Sequence, residues 1–143
     1  MAARVLIRLA AWTGEGAYRD AAERAIRTVV PFVGRYPTGF AQWLSAIDLA
    51  LAPLVEIAVV GGPDDPATAA LLAEARRGYR PNLVLAWAAG DASAADSAVP
   101  LLHDRLAVDG RPTAYVCRGF VCRLPVHDPE ALAAQVEAAA AGG

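Results

Sequence analysis

Glu56-Ile57-Ala58-Val59-Val60 runs straight into Gly61-Gly62-Pro63-Asp64-Asp65-Pro66, and this junction decides the fold class. Glu56–Val60 reads as a continuous apolar run, as expected of a parallel strand covered on both faces. The Gly/Pro/Asp cluster turns the chain. Asp65 then caps a helix whose first position is Pro66, where a missing N–H costs nothing. Leu71, Leu72 and Ala75 give that helix a buried side, Arg76 and Arg77 suit its negative end, and Gly78 ends it. Leu83–Trp87 follows as a second apolar run, so Val55–Ala88 has the length of a right-handed βαβ unit.

Downstream, Asp91–Asp109 is small, polar and interrupted by Pro100, with one short turn expected at Leu101–Arg105. Thr113–Cys117 reads as a third strand. Asp128-Pro129 repeats the cap-plus-proline start, and Ala131–Ala140 supplies the last helix, followed by an Ala/Gly tail expected to fray. Residues 53–143 are therefore expected to form a small α/β domain: a mostly parallel three-stranded sheet, flanking helices and a Cys-containing hairpin.

Upstream of Pro53 the pattern is purely helical. Val5, Leu6, Leu9 and Trp12 form one stripe, ending at Thr13-Gly14. Tyr18, Ala21, Ala22, Ala25, Ile26, Val29, Val30 and Val33 form a second. Phe40, Trp43, Leu44, Ile47 and Leu51 form a third, with Thr38 as its expected N-cap after Pro37. The first helix has no capping residue ahead of it, as expected of a piece of a longer chain.

Composition narrows the classes. The 143 residues are 56% hydrophobic and 20% charged, which excludes intrinsic disorder, and a chain this long buries roughly 70% of its unfolded surface. All thirteen cations are arginine and the net charge is −2, so a nucleic-acid partner is not expected. The longest apolar run, Leu83–Ala89, is too short to span a membrane. Arg4 and Arg8 break up the opening apolar stretch, so no signal peptide is read there. With two cysteines, a reducing cytoplasm is the expected compartment.

Candidate chemistry centres on Cys117-Arg118-Gly119-Phe120-Val121-Cys122. Gly119-Phe120 fits a two-residue hairpin turn of type II′, which sets Cys117 directly opposite Cys122 as a non-hydrogen-bonded pair. A reversible redox pair is sterically open to them. The spacing is not Cys-X-X-Cys, however, and a hairpin lacks the helix dipole that lowers a thiol pKa, so two reduced, half-buried thiols are expected. His103 and His127 could complete a Cys₂His₂ set, but the spacing matches no common zinc site; His127 reads as an exposed loop residue and no metal or other cofactor is expected. Asp65 and Asp128 read as helix caps rather than ligand sites. Glu15, Asp20, Glu23 and Asp48 provide carboxylates for glycoside chemistry, but Asp20 and Glu23, with Arg24 and Arg27 one turn on, read as a solvated ion-paired face. No catalytic residue emerges.

Leu9–Tyr36 resembles one hairpin of an (α/α)₆ toroid. Pro37-Thr38-Gly39-Phe40, Leu44–Leu51, Glu56–Gly61, Tyr79-Arg80-Pro81-Asn82 and Asp109–Cys122 together resemble the end of the large thioredoxin-domain proteins of the YyaL and spermatogenesis-associated protein 20 type. That resemblance implies a longer parent with an N-terminal thioredoxin-like domain, a sugar-epimerase-like α/α barrel and a short α/β tail. Residues 1–52 would be terminal barrel helices, and residues 53–143 the tail. The partners implied are the thioredoxin-like and barrel portions of that parent. The expected function is a non-catalytic structural segment. The alternatives are a thiol-redox accessory using Cys117 and Cys122, or a wall of a carbohydrate-active barrel (isomerase or glycosidase-like). Self-association through an apolar face at Val5, Leu6, Leu9 and Trp12 is also expected.

Overall fold

The computed structural model describes residues 2–141. Three helices lead: α1 (Ala2–Thr13), α2 (Gly16–Val33) and α3 (Ala41–Leu51). Gly14 separates the first two at φ +71°, a conformation that glycine adopts without a Cβ clash. The amide of Glu15 donates to Thr13 Oγ1 at 3.2 Å beside it. Thr38 does not cap α3. Pro37, with its preset φ, opens a 3₁₀ turn over Pro37–Phe40 instead, and α3 continues from that turn with Phe40 at its N-cap.

The buried stripe of α1 is Ala3, Ile7 and Ala11, not the larger Val5, Leu6, Leu9 and Trp12. Small residues let α1 approach Ala22 and Ile26 of α2 and Ala46 and Leu49 of α3. The lower end of α1 turns to the sheet, where Ala11 and Trp12 pack with Ala58, Val60, Val84 and Leu101. Arg8 donates to the Pro81 carbonyl at 3.0 Å, tying α1 to the link before β2.

The second part is α/β, as its patterning indicates: β1 (Val55–Val60), α4 (Pro66–Ala75), β2 (Leu83–Ala88), α5 (Asp91–Ala95), β3 (Thr113–Arg118), β4 (Val121–Cys122) and α6 (Pro129–Ala141). The four strands form one mixed sheet in the order β2-β1-β3-β4. Every residue of β1 is buried, because it lies between two strands and between two helical layers. Helices α4 and α6 cover the face carrying Val55, Ile57, Val59, Ala114 and Val116.

β1 and β2 are parallel, but β3 is antiparallel to β1, which corrects the mostly parallel arrangement expected. The physical reason is the connection. Between β2 and β3 the chain forms only the five-residue α5 and two 3₁₀ turns, at Pro100–Leu102 and Val108–Gly110. A parallel return needs a crossover that runs back along the sheet, whereas this connection leaves Ala88 and returns to Thr113 at the same end, each beside Val60. Without such a crossover, β3 enters where β1 ends.

Both aspartate caps form. Asp65 Oδ1 accepts from the Ala67 amide and Asp128 Oδ1 from the Ala131 amide, each at 2.8 Å. Asp65→Ala is expected to cost about 1 kcal/mol, read as a lower urea midpoint at unchanged slope. At the far end of α4, buried Glu74 receives Arg80 at 3.1 Å and Arg77 at 3.3 Å. The hydrogen bond from Arg80 is the main cause holding its carboxyl below the ordinary range, against the opposing effect of burial. The helix α6 reaches Ala141, while Gly142 and Gly143 of the tail expected to fray lie outside the described residues.

Candidate functional site

A cleft of about 610 Å³ separates the three-helix layer from the hairpin joining β3 to β4. Its walls include Ile7, Ala11, Gly14, Leu54 and Phe120, and its charged groups are Glu15, Arg19, Glu56 and Arg118. Arg19 is committed to the Ala50 carbonyl at 2.9 Å and to Glu23 at 3.1 Å.

Glu56 is the singular group. It is the one carboxylate of β1 and only 4% exposed. Its Oε2 accepts from the Phe120 amide at 2.8 Å, and the Gly119 amide also bonds to the carboxylate. Burial pushes its carboxyl above the ordinary glutamate range, opposed by these two amides and by the charge of Arg105. Sequence reasoning missed Glu56 by reading the strand as apolar. The available signal was a single ionisable residue inside a run otherwise suited to full burial.

The hairpin explains why that carboxylate is tolerated. Gly119 and Phe120 both have positive φ, +55° and +67°, so the turn is type I′ rather than the expected II′. Phe120 holds a left-handed conformation uncommon for a bulky residue. Its amide is fixed by Glu56, and its ring packs at Gly14, where an added Cβ would lie 3.3 Å from the ring. Turn and carboxylate therefore satisfy one another.

Cys117 and Cys122 are directly opposed in the register, as the turn position predicts, with Cα atoms 3.9 Å apart. Their sulfurs are joined in a disulfide rather than held as two thiols. Cys117 also stands directly opposite Glu56 across β1 and β3. Glu56, Cys117 and Cys122 thus form one row across three strands. Cys117 is 1% exposed, whereas Cys122 on the edge strand is half-buried.

The other candidates lie apart. His103 Nε2 is 2.7 Å from the Ser97 carbonyl. His127 is half-buried, not an exposed loop residue, with Nδ1 3.1 Å from the Pro112 carbonyl and 3.3 Å from Thr113 Oγ1. Among the described residues no three His, Cys, Asp or Glu side chains gather in metal-binding geometry. Glu23 pairs with Arg19 and, at 3.6 Å, with Arg27 on the solvated side of α2. No helix of the described residues is long and apolar enough to cross a membrane.

No protein-family model matches the chain, and no solved structure matches it. Among curated proteins it is similar to spermatogenesis-associated protein 20 of Rattus norvegicus, at 29% identity over 130 residues, and to the Mus musculus and Homo sapiens proteins of that name, at 28% each. Each alignment covers 90% of this chain and 16% of the relative, so the chain spans about one sixth of the length of these relatives. The chain is related to proteins of that type, and the likeness extends over both its helical and its α/β parts.

Proposed function

We propose that the chain is a structural, non-catalytic segment equivalent to the C-terminal part of these longer relatives, in which α1–α3 complete a sugar-epimerase-like helical barrel and the sheet buttresses them. The observation that carries this reading is the apolar surface on the helical layer. Val5, Val30, Phe32, Leu44 and Leu51 are all exposed, Phe32 at 53% and Leu51 at 82%. Phe32 also stacks on Phe40 with ring centroids 6.5 Å apart, which presents an ordered aromatic surface. Covering each such side chain is worth roughly 1.5–3 kcal/mol, so several of them left exposed on α1–α3 favour further helices packed around the layer. These residues differ from the stripe expected on α1, of which Val5 alone is exposed while Leu6, Leu9 and Trp12 are half-buried. In this reading the natural cover is the barrel portion of a longer parent that also carries a thioredoxin-like domain.

The isolated chain is expected to self-associate through these exposed side chains. Sedimentation equilibrium over a concentration series should give a weight-average mass above that of the monomer, and Phe32→Glu combined with Leu44→Glu should weaken association by about tenfold or more. A monomer at every concentration that also fails to bind a hydrophobic dye would remove the reading.

A further inference from the structure

We propose that Cys117–Cys122 is an exchangeable disulfide that accepts two electrons from a dithiol partner, with Cys122 the sulfur attacked and Glu56 the group that gives a proton to, and takes one from, the sulfur of Cys117. Three features of the fold carry this. The first is direction of approach. The disulfide lies between β3 and the edge strand β4, so a nucleophile in line with the S–S bond reaches Cys122 from outside the sheet. The corresponding line to Cys117 passes over β1 at Glu56, where both residues are nearly sealed from solvent. Exposed Val121 (78%) and Leu124 (83%) flank Cys122, so the approach is over apolar side chains open to solvent.

The second is the position of the carboxyl. Residues directly opposed on antiparallel strands point to one face, with Cβ atoms roughly 4.5–5.5 Å apart. Glu56 and Cys117 are such a pair, both nearly sealed from solvent. A thiolate released at Cys117 would emerge in a place that solvates charge poorly, beside the one buried proton-exchanging group of β1. The third is resupply. Glu56, though only 4% exposed, lines the 610 Å³ cleft, which would give its carboxyl a route to water. The charged groups facing it there are Glu15 and Arg19 of the α1–α2 corner and Arg118 of β3, with Arg105 acting from the segment before β3.

The steps balance. The partner thiolate attacks Cys122 Sγ, forming a mixed disulfide and breaking the Cys117–Cys122 bond. The electron pair leaves on Cys117 Sγ, which takes the Glu56 proton. The second partner thiol, deprotonated by solvent, attacks the mixed disulfide at the partner sulfur and releases Cys122 as a thiolate that water protonates. The partner ends as a disulfide, both cysteines end as thiols, and Glu56 regains its proton through the cleft. Cys122 Sγ lies 3.7 Å from the Phe120 carbonyl, which can receive the new S–H.

Dithiothreitol serves as the probe dithiol. Its reduction of the full chain, followed by rapid mixing from pH 5 to 9, is expected to slow by about tenfold to a hundredfold in Glu56→Gln, at or below the lower end of what a positioned proton donor contributes. The dependence on the Glu56 ionisation should vanish from the profile. Glutamine keeps an acceptor oxygen for the Phe120 amide, so the turn is preserved. Rates within twofold of wild type with an unchanged profile would overturn the proposal. A measurement on the wild type alone guards against a variant that fails to fold: the Glu56 carboxyl followed by ¹³C resonance in the oxidised and reduced chain. Different titration midpoints are expected, and superimposable curves would overturn the coupling. In the reduced chain iodoacetamide should modify Cys122 at least about tenfold faster than Cys117; the reverse order would overturn the assignment of the attacked sulfur.

Discussion

Leu71→Ala is expected to remove about 2–5 kcal/mol of stability, the range for a fully buried leucine whose site cannot collapse. Leu71 is wholly sealed, on the inner side of α4, against Val55, Ile57 and Val59 of the central strand and beside Leu132 of α6. Those neighbours belong to separate elements, each fixed by its own ladder or cap, so the cavity persists. Two contributions then add: lost transfer of the apolar atoms, and lost contacts around an unfilled space. Equilibrium urea unfolding read by far-ultraviolet dichroism measures the sum. Leu71→Met, which nearly conserves volume, should stay within about 1.5 kcal/mol. A loss below 1 kcal/mol for the alanine variant would mean that α4 is not seated on this face.

Gly61→Ala should be the most damaging small substitution, costing about 1–3 kcal/mol through overpacking. An added Cβ would collide with Thr68 Oγ1 on α4 and approach Pro112 Cβ to 2.9 Å. The backbone cannot withdraw. The Gly61 amide donates to the Ala88 carbonyl at 3.0 Å, and its own carbonyl accepts from Trp87 Nε1 at 3.0 Å. Relief must come from the neighbours, and Thr68 is the one that can be trimmed. Thr68→Ala in the Gly61→Ala background should therefore restore part of the loss, while Pro112 keeps the rest. Thermal unfolding of the four members of this cycle gives the coupling directly. Additive losses would show that the two side chains do not meet.

Where the sequence is legible and where it is not follows from what each pattern encodes. Asp65-Pro66 and Asp128-Pro129 specify helix starts through local bonds, and both form as read. Apolar continuity correctly signals burial on two faces in β1, but β2 is an edge strand buried on one face only, with Leu83 and Leu85 half-buried and Trp87 exposed. Such continuity carries nothing about the direction of a neighbour, so β3 was assigned the wrong sense; the deciding fact was the lack of a crossover helix between Ala88 and Thr113. Hydropathy also favours large side chains, whereas α1 buries Ala3 and Ala11, because close helix approach selects for small ones. At the candidate site, counting outward from Gly119-Phe120 placed Cys117 opposite Cys122. Glu56 escaped, because its place is set by amides of a turn that only the folded chain brings to it.

The antiparallel entry of β3 bears on the order in which the molecule assembles. The α1–α2 corner, the β1–α4–β2 unit and the β3–β4 hairpin each close contacts between residues near in sequence, and such contacts form early because little chain entropy opposes them. Joining β1 to β3 is different, since it must bring together residues as distant as Glu56 and Cys117. That ladder is the slow closure, and until it forms both inner strands present open edges to other chains. The disulfide does little to hasten it, because its partners are only five positions apart and constrain the hairpin rather than the long loop. A nascent chain is therefore most exposed to misassembly after β2 has emerged and before β3 has inserted.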